Sequence, residues 1–373
     1  KMASAAQSLP LFPYIYPLHY SDPVTLHPSM RQDMAIVLTI ANRLRNPRLL
    51  FAVGFALGSL FVFLTVRGID WAEVQAQVAE TSPIAIVVAL AITLISGFLR
   101  ALRWRLLWVT EQVTTRRLFV VEMSSLGLNN LSPVRFLDEP AILTMLTVRD
   151  KLSGPIVVAT VLMTRVHDMA LTLAFGAVAV ALEPGVAERA GAAVYVSGFF
   201  MIVLLGLLNL GSLARRFKII EQVPGILAYG RAVEEVLTRK ARLIGTSSLT
   251  GVYWLALGPA AYVLANGMGV EITLFQATIV ALGATFFATA MPGLPGAFGT
   301  FELAVQELLT IWEVPRDLGF GFGVVLHLIF FVPPILFALV MLPREGVGIM
   351  RSWQRLAARH APTEKRIRSH ETP

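Results

Sequence analysis

Residues 291 to 302 read MPGLPGAFGTFE and decide how the rest of the sequence is interpreted. The stretch contains two prolines and three glycines, which interrupt a helix, yet it ends an uncharged run that begins at Ile272. Hydrocarbon offers no water to the backbone N–H and C=O groups that a broken helix exposes, so such backbone is expected inside protein or beside a wet cavity. The stretch therefore predicts a binding site or pathway. The simpler alternative is a loop that leaves the bilayer.

Composition assigns the chain to the integral membrane proteins with helical spans. Of its 373 residues, 55% are hydrophobic and 15% are charged, whereas soluble domains carry about 25% charged residues. The absence of cysteine excludes disulfides, thiolate nucleophiles and Cys-based metal sites. The net charge is +7, but the basic residues fall between apolar runs, where they indicate topology and contacts with anionic lipid head groups rather than nucleic-acid binding.

Six apolar segments are predicted to span a membrane. They are Leu49–Val66, Pro83–Phe98, Pro155–Leu182, Ala190–Ala214, Leu243–Ala265 and Leu318–Leu342. Basic residues follow the second and the last of these spans, so the positive-inside rule places both termini in the cytoplasm. We expect a multi-pass protein of the plasma membrane, and the sequence leaves a homo-oligomer open.

Two further segments begin and end on the same side and are predicted to be re-entrant: Leu118–Leu146 from the cytoplasm and Ile272–Asp317 from outside. Residues 49–182 and 190–342 then each contain span, span, re-entrant segment and span. Three spans per unit invert the second unit, so the fold class is an all-α membrane protein with a 3+3 inverted repeat. The predicted parts are residues 1–47 (extension), 48–182 (first repeat), 183–343 (second repeat) and 344–373 (basic tail).

Charged and polar side chains inside these segments are the candidate functional residues, because intramembrane charge is expensive. A lipid head group is the predicted ligand of Asn129, Asn130, Arg135, Arg165, Arg100 and Arg103, and cavity or gating roles are predicted for Pro133, Pro292, Gly293, Pro295, Gly296 and Gly299. A coupling or polar network is predicted for Asp138, Glu139, Asp168, Glu302, Glu307 and His327.

Several of these residues have a plain structural alternative. Arg165 and Asp168, three apart on one helix face, either pair with each other or leave Arg165 to an anionic head group. Arg135 suits bidentate phosphate contacts or snorkels to the interface. Arg100 and Arg103 fit an interfacial basic belt beside Trp104, and His327 is a proton relay or, more often at such sites, a satisfied core histidine.

Four motifs resemble the flippase-like membrane family typified by the transmembrane domain of lysylphosphatidylglycerol synthases, over about Arg48 to Leu342. They are Arg100–Trp104 (Arg-x-x-Arg-Trp), Asn129–Arg135 (Asn-x-x-x-Pro-x-Arg), Arg165–Asp168 (Arg-x-x-Asp) and Pro292–Glu302 (the Pro-Gly-rich motif ending in Glu). The sequence departs from the family pattern where Leu137 and Asp138 replace Gly-Glu, Thr164 replaces Glu, and Ala297 replaces Gly.

This resemblance implies movement of phospholipids, aminoacylated phospholipids or polyprenyl-linked lipids between leaflets. In bifunctional members an aminoacyltransferase domain follows the membrane part, and the roughly thirty residues after Leu342 are too few for such a domain. The chain alone is therefore not expected to be a synthase.

Three functions remain open from the sequence. The first is a lipid transporter that binds anionic lipids. The second is a membrane subunit that presents lipid to a separate lipid-modifying or glycan-transferring enzyme. The third, intramembrane catalysis by Glu302 with His327, is disfavoured because catalytic motifs such as His-Glu-x-x-His and Gly-x-Ser-x-Gly are missing, and no cofactor or metal is predicted.

Overall fold

The structure is a computed structural model that describes residues 47–132, 137–216, 226–291 and 294–360. Residues from Phe51 onward form one compact unit, with which the following description is concerned. The predicted extension 1–47 falls outside the described residues, apart from its last position. The predicted site residues Pro133, Arg135, Pro292 and Gly293 also lie outside the described residues.

All regular secondary structure in the described ranges is helical, which confirms the predicted all-α class. The first half contains α1 (Pro47–Val66), α2 (Trp71–Glu80), α3 (Pro83–Leu107), α4 (Thr115–Leu131), α5 (Asp138–Leu143) with a π-helical turn (Thr144–Arg149), and α6 (Gly154–Leu182). The second half contains α7 (Pro184–Leu208), α8 (Leu210–Arg216), α9 (Ile226–Thr238), α10 (Lys240–Leu255), α11 (Leu257–Gly267), α12 (Leu274–Ala290), α13 (Thr300–Leu309) and α14 (Arg316–His360), with 3-10 turns at Pro295–Ala297 and Thr310–Trp312.

Four helical stretches are long and apolar enough to cross a membrane, by length and composition. They are Pro83–Leu107, Gly154–Leu182, Lys240–Gly267 and Arg316–Gly346, and each contains one of the predicted spans. A fifth candidate is bent: Gly54–Val66 and Trp71–Glu80 meet at 84°. Asp70 caps the second arm of this bend by accepting hydrogen bonds from the backbone N–H groups of Ala72 and Glu73.

Helices extend across three of the predicted segment limits. Helix α3 does not end at Phe98 but continues to Leu107, because Trp104 and Leu107 are buried and extend its packing face. The predicted loop 183–189 shrinks to Glu183, since Pro184 begins the next helix at a position where its missing N–H costs nothing. Helix α14 runs through the first part of the predicted basic tail and ends at His360.

Both segments predicted to be re-entrant fold as helix, break and helix. In the first, α4 is followed by residues 132–137 and then by α5, which packs against α4. In the second, α12 is followed by residues 291–299 and then by α13, and these two helices also pack side by side. We name these units the first and the second hairpin.

The last helix, α14, joins the hairpins because it packs against both α4 and α13. It approaches α4 closely at Gly127, where an added Cβ would lie 2.1 Å from the carbonyl oxygen of Pro334. A large buried cluster of apolar side chains between α11, α12, α13 and α14 forms the core beside the second hairpin.

Candidate functional site

The break of the second hairpin contains three residues with positive φ. Gly296, Ala297 and Gly299 have φ of +75°, +64° and +83°, a region that glycine adopts without the penalty an L side chain carries. At Gly299 an added Cβ would also lie 2.6 Å from the backbone nitrogen of Val62. The glycine at this position is therefore required twice, by its φ and by the close approach of α1.

Glu302 and His327 form a buried pair next to this break. The Glu302 Oε1 atom lies 2.5 Å from His327 Nδ1, and the other ring nitrogen, Nε2, lies 2.7 Å from the carbonyl oxygen of Gly296. Glu302 Oε2 accepts a hydrogen bond of 2.8 Å from the backbone N–H of Gly299. The two side chains are 5% and 3% exposed. They therefore connect the break, α13 and α14 through hydrogen bonds.

Glu307 does not join this pair. Its side chain is exposed one and a half turns further along α13, in agreement with its spacing of five residues from Glu302. A direct role beside Glu302 therefore has no contact to support it.

The end of α4 in the first hairpin contacts the break of the second hairpin. An added Cβ on Gly296 would lie 3.8 Å from the carbonyl oxygen of Asn130, and α4 contacts the 3-10 turn Pro295–Ala297. Asn129 and Asn130 are buried, at 9% and 5% exposure. These two predicted residues and the described part of the Pro-Gly-rich stretch are thus brought together.

A second polar group, the Arg165 cluster, consists of Asp138, Glu139 and Arg165. The Arg165 guanidinium binds both carboxylates, through Nε to Glu139 Oε1 at 3.2 Å and through an ion pair with Asp138. This cluster joins α6 to the start of α5, directly after the first break. The alternative that Arg165 pairs with Asp168 is therefore wrong, because each residue has a partner on another helix.

Within this cluster the two neighbouring carboxyls have different proton affinities. Burial raises the pKa of Glu139 to about 7, and its hydrogen bond with Asp138 acts in the same direction. Burial also disfavours the charged form of Asp138, but the hydrogen bond with Glu139 and the charge of Arg165 outweigh it and lower the pKa of Asp138. Asp138 thus holds the negative charge.

We expect Glu139→Gln to flatten the pH dependence of stability. A raised pKa means that the folded state holds the proton more tightly, so this stabilisation is complete below the ordinary pKa of 4.5 and is lost as the pH rises through about 7. Because the Glu139 side chain is 43% exposed, solvent screening limits the effect to about 1 kcal/mol. Thermal unfolding in detergent from mildly acidic to mildly alkaline pH measures it.

Asp138 does not contribute to this pH dependence, because its pKa is lowered and it stays charged in this window. An equal loss of stability on raising the pH in the wild type and in Glu139→Gln would contradict the assignment.

The third polar group, the Asp168 cluster, comprises Arg103, Asp168, Thr250, Tyr253 and Trp254. Arg103 donates to both oxygens of Asp168, at 2.8 and 2.9 Å, and to Thr250 Oγ1 at 3.0 Å. Asp168 Oδ1 also accepts from the Tyr253 hydroxyl and from Trp254 Nε1. The Arg103 guanidinium lies 4.7 Å from the centroid of the Tyr253 ring. This cluster joins α3, α6 and α10 in the protein interior.

Arg103 and Trp104 are each 1% exposed, so the prediction that they form an interfacial belt is wrong. The prediction failed because α3 continues past Phe98 and carries these side chains into the core. Arg100, one turn earlier, pairs with Glu122 of α4 at 2.7 Å. Both arginines therefore have carboxylate partners.

A cavity of about 100 Å³ adjoins the Asp168 cluster. Trp254 belongs to both, and the other walls are, apart from Thr172 and Ser197, apolar side chains and glycines of α6, α7, α12 and α13, including Phe175, Gly176 and Phe286. A polar cluster beside an apolar cavity is the environment that an amphipathic molecule requires.

Comparison with known proteins agrees with this architecture. A family model described as the lysylphosphatidylglycerol synthase TM region matches residues 51–338, about three quarters of the chain. The chain belongs to this family. The resemblance inferred from the four motifs is thereby confirmed. The family also supports the prediction of a membrane protein related to lipid handling. A search of curated proteins found no match.

One polar group of this lysylphosphatidylglycerol synthase TM region was missed in the sequence. The Glu345 cluster consists of Arg117, Arg149, Asp150 and Glu345. Arg117 donates to both oxygens of Glu345, at 2.8 and 2.9 Å, and to Asp150 at 2.7 Å, while Arg149 pairs with the same Glu345. The distribution of charges along the sequence did not indicate this cluster, because its residues lie in segments predicted to be cytoplasmic loops and the basic tail.

In the described ranges of this family member, no group of three or more His, Asp or Glu side chains is arranged to hold a metal ion.

Proposed function

We propose that this protein is a lipid transporter that moves a phospholipid, an aminoacylated phospholipid or a polyprenyl-linked lipid between the two leaflets. The observation that carries the proposal is the contact between the end of α4 in the first hairpin, at Asn130, and the break of the second hairpin, at Gly296. Irregular backbone of this kind is tolerated at membrane depth where it lies in protein or lines a cavity, and transporters of several folds place their substrate between two broken elements.

In this proposal the chain has six spans and two re-entrant hairpins, which enter from opposite faces in a 3+3 inverted repeat. Support comes from the helix, break and helix pattern in both hairpins and from the four long apolar stretches. The basic residues after α3 and in the tail favour cytoplasmic termini in a plasma membrane.

The lipid head group is proposed to bind where the end of α4 contacts the second break and to be held by the Arg165 cluster. Arg165 already binds two carboxylates, so an anionic head group has to compete with Glu139, the more exposed of the two. Protonation of Glu139 weakens its hold on Arg165 and favours the exchange. Arg135 is retained as a proposed phosphate ligand because its guanidinium matches phosphate oxygens bidentately.

The apolar cavity beside Trp254 is proposed to hold part of an acyl chain. Gly176 lines this cavity, and an added Cβ there meets nothing within 4 Å. We expect Gly176→Leu to fill the space without a clash, to slow lipid movement by about tenfold, and to stabilise the helix by up to about 1 kcal/mol.

Gly206→Leu is the matched control, because Gly206 is exposed on α7, outside the cavity, and an added Cβ there also meets nothing. It should gain similar helix stability and transport at the wild-type rate. Equal transport by both variants would exclude the cavity from the lipid path.

Purified protein in phospholipid vesicles, with a fluorescent lipid and a quencher that reaches only the outer leaflet, tests the function itself. We expect the quencher to remove more fluorescence than the outer leaflet alone contains. This additional quenching should be reduced in Arg135→Ala and Arg165→Ala. Inactivity toward every lipid tested favours the membrane subunit that presents lipid to another enzyme, and chemical conversion of the lipid would favour an enzyme.

A further inference from the structure

The hydrogen bonds of His327 fix where its protons lie. A carbonyl oxygen can only accept a hydrogen bond, so Nε2, at 2.7 Å from the Gly296 oxygen, carries a hydrogen. The other ring nitrogen, Nδ1, lies 2.5 Å from Glu302 Oε1. At this separation one proton must lie between the two atoms, because two bare acceptors would repel each other.

The second oxygen of Glu302 is already used. Oε2 accepts the N–H of Gly299 at 2.8 Å, which disfavours a proton on that atom. The arrangement therefore suits a single proton shared between Glu302 Oε1 and His327 Nδ1. Whichever atom holds this proton, the pair as a whole is neutral, which explains how two ionisable groups are buried here.

Aromatic rings enclose the pair. The rings of Phe298, Phe301 and Phe331 have their centroids 4.9, 5.0 and 4.4 Å from that of His327. Phe298 itself is 51% exposed, so one of the enclosing rings also lies at the surface of the described structure.

Other charged groups on the packed elements are engaged elsewhere or exposed. Residues 51–66 of α1, and α11 and α12, contain no charged residue. On α13, Glu307 is exposed, and Arg135 lies outside the described residues. On α4, Arg116 is exposed, Glu122 pairs with Arg100 and Arg117 pairs with Glu345. At the start of α14, Arg316 contacts the Leu64 carbonyl and Asp317 the Asp70 N–H.

Loss of the shared proton would change the break. With Nε2–H held by Gly296, a deprotonated pair leaves a carboxylate facing a ring nitrogen lone pair, and the link between α13 and α14 becomes repulsive. The remaining negative charge would lie among phenyl rings, where it is poorly solvated. The proton and the closed geometry at Gly296 and Gly299 are therefore thermodynamically linked.

We propose that the Glu302–His327 pair is a proton-binding site that drives lipid movement: the second hairpin is closed when the pair holds its proton and opens when the proton leaves. The inference rests on the proposed lipid transport and adds its energy source, a proton gradient. The step is a simple proton transfer to water when the hairpin opens, with no redox chemistry and no other reactant.

Vesicles with a pH difference across the membrane and the membrane potential clamped at zero test the inference. The probe is a fluorescent phosphatidylglycerol in phosphatidylcholine vesicles. One proton per lipid predicts about a tenfold leaflet asymmetry for each unit of pH difference at equilibrium, because one pH unit is 1.36 kcal/mol. The asymmetry should reverse when the gradient is inverted.

His327→Gln and Glu302→Gln should remove this response to the gradient, whereas Glu307→Gln, an exposed carboxyl on the same helix, should keep it. A purely structural pair would instead lower the rate while leaving the asymmetry unchanged. Equal leaflet distributions in the wild type with and without a gradient would overturn the inference and leave lipid transport standing, whereas no movement of any lipid would overturn the transport proposal.

Hydrogen exchange tests the proton site in the wild-type protein. It requires neither transport activity nor a variant that folds. In wild-type protein in vesicles, exchange of the backbone amides of residues 296–302 should rise with pH beyond the chemical rate, because release of the proton opens the break. Exchange that follows the chemical rate alone would refute the proton site.

Discussion

Asp168→Asn is expected to lower the free energy of unfolding by about 3–5 kcal/mol, because it leaves a buried guanidinium without its countercharge. The Arg103 side chain is 2% exposed and donates to both oxygens of Asp168, so water cannot replace the lost carboxylate. The Tyr253 hydroxyl and Trp254 Nε1 also lose the charged acceptor they share. Reversible denaturant unfolding in mixed micelles measures the change.

Glu122→Gln is the matched control, since it removes the charge of an ion pair whose arginine is more exposed. The Glu122 side chain is 12% exposed, close to the 14% of Asp168, but the Arg100 side chain is 18% exposed against 2% for Arg103, and only one oxygen of Glu122 is engaged. We expect a loss of about 1 kcal/mol for this variant. Equal losses in both variants would show that the burial of Arg103 and the additional hydrogen bonds of Asp168 contribute no extra stability.

Gly127→Ala is expected to cost about 3 kcal/mol, at the upper end of the range for overpacked sites. The new methyl group would lie 2.1 Å from the Pro334 carbonyl oxygen and 2.5 Å from the Ala338 Cβ, so α4 and α14 must separate. Backbone of a neighbouring helix cannot move aside as a flexible side chain would. Thermal unfolding in detergent shows the effect directly.

The same substitution at Gly206 tests the cause. Alanine normally stabilises a helix by up to about 1 kcal/mol over glycine, and nothing lies within 4 Å of an added Cβ at Gly206. Gly206→Ala should therefore be neutral or stabilising. A gain in Gly127→Ala as well would mean that the two helices are further apart than described.

The sequence predicted the helices and the breaks well because both follow from local chemistry. Long apolar runs predict helices, and the prolines and glycines between Met291 and Gly299 interrupt one whatever its surroundings. The boundaries at Leu107 and Pro184 were missed. The first depends on the packing of α3, and the second on the single-residue connection at Glu183, and local hydropathy reports neither feature.

Side-chain partners were predicted poorly, since they join distant parts of the chain. The three-residue spacing of Arg165 and Asp168 suggested a pair within one helix, whereas Asp168 pairs with a residue 65 positions earlier and Arg165 with two residues 26 and 27 positions earlier. Glu302 was placed correctly beside the break because it follows that break directly. Its contact with His327, 25 residues away, needed the fold.

The Glu345 cluster has a consequence for biogenesis. Arg117 at the start of the first hairpin and Glu345 near the end of the last long helix are 228 positions apart, and a ribosome makes the first well before the second. During synthesis this end of the early helices thus stays without its ion-pair partner until the final segment has been inserted, and such non-local closure is slow. Nascent chains that stall before residue 345 should be prime targets for membrane quality control.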